Sequence, residues 1–338
     1  MPHERPGHAC IPGVCLNEPQ KLLSLVVPMF NEADGLDAFM HRVIPLLEAV
    51  AQPHGLAWEI IAVDDGSTDG TAAAIADWAL RDKRVRGIVF SRNFGKEAAL
   101  TAGLAAAAGD AVIPIDADLQ HPPECIANMV ACWLGGAEMV VAVRDDRATD
   151  TRIKRLASSL FYYCFNKLSP RPIPPNAGDF RLLDRFVVTA LLRLPERDRF
   201  MKGLFSWVGF KTEYVSFACN ERHAGQTKWN YKRLFNFALD GITSFSTIPL
   251  RIWGGIGFGI AAFAFLYALW IIIRTTLFGD PVQGFPTLMV TVLFLGGLQL
   301  IGIGVIGEYL GRLYHESKQR PLYIIHHEIN ANPQRPRA

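Results

Sequence analysis

The sequence predicts an α/β protein built on a doubly wound, mostly parallel sheet, followed by a C-terminal hairpin of two transmembrane helices. Through residues 22–229, short apolar runs with strand character alternate with helical patterns. Such alternation is typical of a parallel sheet that binds ligands beyond the carboxyl ends of its strands. After residue 251 charge almost disappears, and two apolar segments follow that are each long enough to cross a bilayer.

Taken in chain order, the elements begin with a leader at residues 1–21, which contains Pro and Gly and lacks periodicity and is therefore predicted to be flexible. The globular domain is predicted at 22–229. Its predicted strands are 22–28, 58–63, 85–90, 111–115 and 139–143. Its predicted helices are 36–52, 71–81 and 96–108.

Composition narrows the class of protein. The 338 residues are 50% hydrophobic and 20% charged, which leaves room for one sizeable domain plus additional segments. The formal net charge of +2 argues against nucleic-acid binding, which usually requires a strongly basic domain. The polar amino terminus lacks the apolar core of a signal peptide, so we expect the first domain to remain cytoplasmic.

The predicted membrane region covers 251–311 and contains spans at 252–273 and 287–310. Basic residues flank the outer ends of the two spans, whereas the connection around 278–286 carries only Asp280. By the positive-inside rule both ends, including the tail 312–338, should face the cytoplasm. Two buried helices of a soluble core are the alternative, but their length and Gly-rich composition favour membrane spans. Small-residue faces on both spans suit packing either within the hairpin or between copies of the chain, so a homo-oligomer remains open.

Two further segments have amphipathic character. Residues 151–168 and 230–250 each place basic side chains beside an apolar stripe. They are interpreted either as helices that lie on the bilayer surface or as surface helices packed on their own domain. The position of 230–250 directly before the first span favours the membrane for that segment.

The first candidate site is the segment Asp116-Ala-Asp118-Leu-Gln120, which follows an apolar strand. Two carboxylates at i and i+2 beyond a strand end can face one hard cation, and Mg²⁺ and Mn²⁺ prefer oxygen ligands together with substrate phosphates. Gln120 could add a neutral oxygen. A turn rich in Asp is the alternative reading.

The second candidate site is the acidic turn at 64–71, again directly after a strand. A carboxylate at Asp64 or Asp65 can accept hydrogen bonds from a base or from ribose hydroxyls, as strand-end acids do in dinucleotide-binding folds. Ser67 and Asp69 are well suited to cap the helix that follows. We expect both roles to be present.

Six segments in this order make the chain resemble glycosyltransferase family 2, over about residues 22–323. The segments are 26–32, 64–67, 91–96, 116–123, 178–181 and 221–228. With the C-terminal hairpin, the chain looks like the polyprenyl-phosphate glycosyltransferases, which include bactoprenol glucosyltransferases and dolichol-phosphate mannose synthases.

This resemblance implies a GT-A-like fold and a set of site residues. The nucleotide-sugar donor would contact Pro28, Asn31, Glu32, Asp64, Asp65, Lys96, Asp116, Arg181, Arg222 and Lys228. The metal, Mg²⁺ or Mn²⁺, would be held by Asp116, Asp118 and Gln120. The catalytic residues would be Asp118, Asp179, Arg222 and Lys228.

The resemblance also implies the reaction and its place in the cell. A hexose, with glucose from UDP-glucose as first choice, would move with inversion onto undecaprenyl or another polyprenyl phosphate, at the cytoplasmic face of a bacterial inner membrane and for cell-envelope glycan modification. A metal ion with Arg and Lys would stabilise the leaving diphosphate. The acceptor phosphate is already anionic, so Asp179 acts as a base, positions sugar hydroxyls or pairs with Arg181.

A basic run provides a candidate site for the acceptor phosphate near the bilayer, with a solvated surface as the alternative. Its members are Arg144, Arg147, Arg152, Lys154 and Arg155. Other donors, among them UDP-aminoarabinose derivatives, UDP-N-acetylhexosamine and GDP-mannose, stay open because the motifs do not encode hexose discrimination. A processive polysaccharide synthase is disfavoured because its Gln-x-x-Arg-Trp motif is missing, and an inactive membrane scaffold because the metal carboxylates are present.

Overall fold

The structure is a computed structural model that describes residues 20–144, 177–197, 199, 201–217 and 284–331, together with individual residues between 253 and 277. The leader up to residue 19 and the amphipathic segments 151–168 and 230–250 lie outside the described residues. The same is true of much of the predicted span 252–273.

Eight strands and seven α-helices are present in the described part of the chain. The strands are β1 (Leu22–Met29), β2 (Ala57–Asp64), β3 (Val85–Phe90), β4 (Ala111–Pro114), β5 (Met139–Arg144), β6 (Ala177–Asp184), β7 (Thr212–Phe217) and β8 (Ile325–Ile329). The helices are α1 (Ala33–Ala51), α2 (Thr71–Arg81), α3 (Lys96–Ala106), α4 (Cys125–Leu134), α5 (Arg185–Leu192), α6 (Met201–Val208) and α7 (Phe285–Ser317).

All eight strands form one sheet in the order β7-β5-β6-β4-β1-β2-β3-β8. β1 pairs in parallel with β2 and β4, β2 with β3, and β5 with β7. β6 runs antiparallel to both of its neighbours, and β8 runs antiparallel to β3. The mostly parallel α/β class predicted from the sequence is therefore confirmed.

Helices cover both faces of this sheet. Because side chains alternate along β1, Leu25 faces one hydrophobic cluster with α1 and α4, while Val26 faces a second cluster with α3, α5 and α6. Burial of a single large apolar side chain such as Phe39 contributes about 1.5–3 kcal/mol. α3 lies very close to the sheet, since a Cβ on Gly103 would come within 2.2 Å of Val26 Cγ1. This packing holds α3 against the sheet, and Lys96 is the first residue of this helix.

The five predicted strands correspond to β1–β5, and the three predicted helices correspond to α1–α3, with ends that differ by a few residues. Three strands were not predicted. β6 carries Asp179 and Arg181 within an otherwise apolar run, and β8 has the polar sequence of an exposed edge strand.

α7 is 33 residues long and contains the whole of the predicted second span. In the described part of the chain it holds the one stretch that is long and apolar enough to cross a membrane, Phe294–Gly311, and only 6% of that stretch is buried. Described residues of the predicted first span, such as Trp253 and Trp270, are helical. The Trp253 indole lies against Gly302, where a Cβ would come within 2.0 Å of Nε1. Insertion of the two segments as a hairpin stays a prediction.

The predicted cytoplasmic tail 312–338 contains defined structure. α7 continues to Ser317, and after a short connection the chain adds β8 to the edge of the sheet beside β3. Asn330 closes the far end of this strand, because its side-chain amide donates to the carbonyls of Lys83 (2.7 Å) and Val85 (2.9 Å). The C-terminal segment is therefore part of the globular domain.

Candidate active site

Several of the predicted site residues in the described part of the chain lie at one edge of the sheet, where the parallel strands β1, β2, β3 and β4 end. β6 runs antiparallel to β4, so the beginning of β6 lies at this same edge. This arrangement brings Asp179, near the start of β6, close to Asp116, which follows β4. A small pocket there is lined by Asp116, Asp179, Phe180, Leu100, Pro114 and Ile115.

Lys96 links the two carboxylates. Its Nζ lies 2.7 Å from Asp116 Oδ1 and 3.0 Å from Asp179 Oδ2. The side chains of Lys96, Asp116 and Asp179 are 43%, 29% and 19% exposed, so this ion-pair network lies at the wall of an open cleft. The second oxygen of Asp179, Oδ1, is buried and has no hydrogen-bond partner within the described structure.

Charge around the network decides its protonation. Burial would raise the pKa of Asp179, but Lys96, Lys202 and Arg181 outweigh burial and lower the pKa to about 2. For Lys96, burial would lower the pKa, and the carboxylates of Asp179 and Asp116 raise it above its usual range instead. Both groups are therefore ionised at neutral pH, and Asp179 is a weak base in this arrangement.

Glu97 and Lys202 belong to this neighbourhood, although sequence reasoning did not single them out. Burial, reinforced by Asp179, raises the pKa of Glu97 to about 8, despite the opposing effect of Lys96 and Lys202. Its Oε2 is buried without a hydrogen-bond partner among the described residues, while the carboxyl group accepts from the Met201 N–H at the start of α6. No sequence signal separates this glutamate from an ordinary first-turn helix acid.

The turn after β4 carries the predicted metal ligands. Asp118 Oδ1 accepts a hydrogen bond from the Gln120 N–H (3.1 Å), which gives the turn its shape. Leu119 has a φ of 54°, a left-handed conformation that costs a non-glycine residue about 1–3 kcal/mol. His121 packs against Phe180 and Phe217, and burial lowers its pKa.

The loops after β1 and β2 form a second part of the site. Asp64 is almost fully buried, and its Oδ1 accepts the Ser67 N–H (3.0 Å). Asn31 adopts a φ of 55°, donates its N–H to Ser67 Oγ (2.9 Å) and accepts the Thr68 N–H at Oδ1 (2.9 Å). Neither Ser67 nor Asp69 is the N-cap residue of α2, which is Gly70, but the Asp69 carboxylate accepts the Thr71 N–H (3.0 Å) at the first residue of the helix. These contacts fix both loops against each other.

Asp65 has a structural role that the sequence analysis did not assign. Its carboxylate accepts the N–H groups of Phe94 (2.7 Å) and Gly95 (2.9 Å), and burial raises its pKa. Gly66 contributes to the same contact, since a Cβ there would come within 2.3 Å of the Arg92 carbonyl carbon. The acidic turn and the loop that leads into Lys96 are therefore packed directly together.

The remaining predicted contacts to the donor and to the acceptor phosphate fall in three groups. Pro28 lies in β1 opposite Val63, and the Glu32 N–H donates to Thr71 Oγ1 (3.0 Å), so both lie at the same edge. Arg181 is buried, with its guanidinium 4.0 Å from the centre of the Phe205 ring. Arg144 ends β5, and the other predicted contacts lie outside the described residues. Those outside are Arg147, Arg152, Lys154, Arg155, Arg222 and Lys228.

The described side chains do not form a metal centre of three or more His, Cys, Asp or Glu ligands. The donor set nevertheless fits Mg²⁺ or Mn²⁺ chemically, because such ions commonly bind one or two carboxylates and take further oxygens from a substrate diphosphate. The unpartnered, buried Oδ1 of Asp179 is consistent with a charged ligand entering beside it.

Comparison with known proteins identifies relatives of this chain. The family model for "Glycosyl transferase family 2" matches residues 24–192. A bactoprenol glucosyl transferase of Shigella phage SfV is 52% identical over 306 residues, which cover 90% of this chain and 98% of the relative. A prophage bactoprenol glucosyl transferase homolog of Escherichia coli K12 is 51% identical over 303 residues, with 90% and 98% covered.

One solved structure to which the chain is similar is that of glucosyl-3-phosphoglycerate synthase from Mycobacterium tuberculosis, in complex with Mn²⁺, UDP-glucose and phosphoglyceric acid. The likeness has a TM-score of 0.44 at 22% identity and covers 66% of this chain and 78% of the other. The family match spans half of the chain and the sequence relatives span nearly all of it. This protein is therefore an enzyme of glycosyltransferase family 2.

Proposed function

We propose that the enzyme transfers glucose from UDP-glucose to undecaprenyl phosphate, with inversion at the anomeric carbon, at the cytoplasmic face of a bacterial plasma membrane. The observation that carries this proposal is identity of 51–52% to proteins named bactoprenol glucosyl transferase, over 90% of this chain and 98% of theirs. The lipid-linked sugar would serve modification of cell-envelope glycans.

The donor nucleoside would lie across the ends of β1 and β2. Asp64 is the acid of choice there, since both oxygens of Asp65 are directed to the amides of Phe94 and Gly95. Asp64 Oδ1 already holds Ser67, which fixes the orientation of the carboxylate for a ligand. Pro28, Asn31 and Glu32 would complete the wall of the nucleoside pocket.

The donor diphosphate would lie above the Lys96 network. Asp116, Asp118 and Gln120 would hold Mg²⁺ or Mn²⁺, which supplies charge stabilisation for the departing diphosphate. Lys96 is ionised and half-exposed beside these carboxylates, so its ammonium can turn towards a phosphate. Arg181 contributes positive charge from its buried position, and Arg222 and Lys228 would close over the phosphates.

The acceptor phosphate would attack the anomeric carbon directly. It is anionic near neutral pH, so no strong base is required, and the low pKa of Asp179 agrees with this. Asp179 would instead orient sugar hydroxyls and hold Lys96. A direct attack opposite the leaving diphosphate inverts the configuration, so an α-linked donor gives a β-linked product. The basic run from Arg144 to Arg155 would receive the lipid phosphate.

The contacts of α7 support a position of the site near the membrane surface. The Arg197 N–H donates to Glu316 Oε1 (2.8 Å), so the end of α7 lies beside the α5–α6 loop. Lys202, which lies at the start of α6, acts electrostatically on Asp179, so that loop is near the candidate site. An α7 that spans the bilayer would therefore bring the site to the surface where a lipid phosphate lies.

The test is a donor panel with the full chain in membranes. Radiolabelled UDP-glucose, UDP-N-acetylhexosamine, a UDP-aminoarabinose derivative and GDP-mannose are each offered with undecaprenyl phosphate and Mn²⁺. The proposal predicts that label enters an organic-extractable lipid from UDP-glucose and that Asp118→Ala abolishes the transfer. Label that enters the lipid from another donor would identify that donor's sugar as the one transferred. No label from any donor would favour an inactive scaffold.

A further inference from the structure

The C-terminal segment contacts the loop that carries Lys96. β8 pairs with β3, and at the end of this ladder the Ser91 N–H donates to the Ile324 carbonyl (3.0 Å). The Tyr323 ring stacks on Phe90, with the ring centres 5.0 Å apart and the planes 8° from parallel. Phe90 is the last residue of β3, so this contact lies at the edge of the sheet that holds the candidate site.

From Phe90 the contacts continue into the donor site. Phe90 meets Phe94 edge to face, with ring centres 5.8 Å apart. The N–H groups of Phe94 and Gly95 bind Asp65, and the next residue, Lys96, bridges Asp116 and Asp179. Tyr323 and Phe94 pack against the same hydrophobic cluster. The loop 91–96 is therefore held on one side by Asp65 and on the other by the C-terminal segment.

The other end of this segment is attached to α7. α7 ends at Ser317, and the six residues to Tyr323 can span at most roughly 20 Å. Within this connection the Arg197 guanidinium donates to the Arg320 carbonyl (2.6 Å), in addition to the bond between the Arg197 N–H and Glu316. The apolar helix and the donor-site loop are thus joined by a short connection with defined contacts at both ends.

We propose that Tyr323, presented by this C-terminal connection, is a positioning residue for the loop 91–96 and thereby for donor binding. The inference rests on the proposed function, since it takes this loop to be part of the nucleotide-sugar site. Without the Tyr323 ring, Phe90 and Phe94 lose one side of their packing. The amides of Phe94 and Gly95 then leave Asp65 more often, and Lys96 is held less well in the orientation that meets the diphosphate.

The experiment compares three variants of the full chain in membranes or detergent. Tyr323→Ala removes the stacked ring, and Tyr323→Phe keeps it. Asn330→Ala is the matched control, because Asn330 also ties β8 to β3 but does so at the opposite end of the strand. The measurements are KM for the donor, KM for the lipid phosphate, kcat, and hydrogen exchange of the 91–96 amides without substrate.

The expected result is a roughly 3- to 10-fold rise in donor KM for Tyr323→Ala, the range that an aromatic pair can supply. Acceptor KM should change little, and exchange at Phe94 and Gly95 should accelerate. Tyr323→Phe should restore both properties, and Asn330→Ala should leave both at the wild-type value.

Unchanged donor KM and unchanged exchange in a folded Tyr323→Ala variant would overturn the inference, as would equal effects of Tyr323→Ala and Asn330→Ala. Failure of the proposed function is distinguishable, because the wild-type chain would then transfer no sugar at all. The exchange measurement still reports on the loop in that case, since it requires no substrate.

Discussion

Replacing Lys96 by Met should have opposite effects on metal binding and on donor binding. In the wild-type chain the Lys96 ammonium forms an ion pair with Asp116, at 2.7 Å from Oδ1. A metal ion must displace the ammonium before binding to that carboxylate. Lys96→Met removes this competitor and leaves Asp116 and Asp179 without their shared cation. A divalent ion alone should therefore bind more tightly. The donor should bind less tightly, because its diphosphate loses a positive contact.

The magnitude follows from the two ion pairs. A hydrogen bond to a charged group contributes about 1.5–3 kcal/mol, but the Lys96 side chain is 43% exposed, and solvent screening reduces that value. We therefore assign about 1–2 kcal/mol to the retention of Lys96, which corresponds to a roughly 5- to 30-fold fall in the Kd of Mn²⁺. Donor KM should rise by about tenfold.

The assay is titration of the full chain with Mn²⁺ in the absence of nucleotide, with free Mn²⁺ quantified by electron paramagnetic resonance. Lys211→Met is the matched control, since Lys211 pairs loosely with Glu213 (3.8 Å) at the opposite edge of the sheet. If Mn²⁺ affinity is unchanged or weaker in Lys96→Met, Lys96 does not compete with the metal ion for Asp116, whatever the effect of the variant on donor affinity.

Three further predictions follow from the same geometry. The pKa of Glu97 is raised to about 8 in the folded state, which therefore retains a proton that the unfolded chain releases. The free energy of unfolding falls as pH rises from about 4.5 to 8. Across this window the free energy of unfolding of Glu97→Gln should rise relative to that of the wild type, by on the order of a few kcal/mol. Gly66 has a φ of 67°, and Gly66→Ala places a Cβ against the Arg92 backbone. Donor affinity measured by calorimetry should therefore fall at least about tenfold. An unchanged affinity would show that the acidic turn and the loop that contains Arg92 separate easily. Asp118→Asn keeps the acceptor for the Gln120 N–H, so thermal stability should be retained while kcat falls by about a hundredfold or more. Full activity of this variant would show that Asp118 is not a metal ligand.

The parts of the fold that could be predicted from sequence are those with a local signal. β1 to β4 are mainly apolar because they are buried on both faces, and each is followed by turn residues. β8 has no such signal, since its residues are exposed and its partner β3 lies more than 200 residues earlier in the chain. Edge strands of this kind are specified by tertiary contacts.

The same distinction applies to the candidate site. The positions of Asp116 and Asp64 could be predicted because each comes at the end of a strand, and these strand ends lie at the edge of the sheet that holds the candidate site. The bridge from Lys96 to Asp116 and Asp179 could not, since it requires three separate segments to meet. Asp65 shows the limit of motif reasoning, because two neighbouring carboxylates in one turn have different partners. Asp64 accepts the Ser67 N–H within the turn, whereas Asp65 accepts the Phe94 N–H from another loop.

We expect this chain to make a glucosyl phosphate lipid, and the mass of the product shows whether it does. Purified full-length protein is incubated with UDP-glucose, Mn²⁺ and either undecaprenyl phosphate or undecaprenol, and the lipids are analysed by mass spectrometry. We expect a product one anhydrohexose heavier than undecaprenyl phosphate, absent with undecaprenol and absent when the metal is chelated. Release of free glucose without a lipid product, or glucosylation of undecaprenol itself, would contradict it.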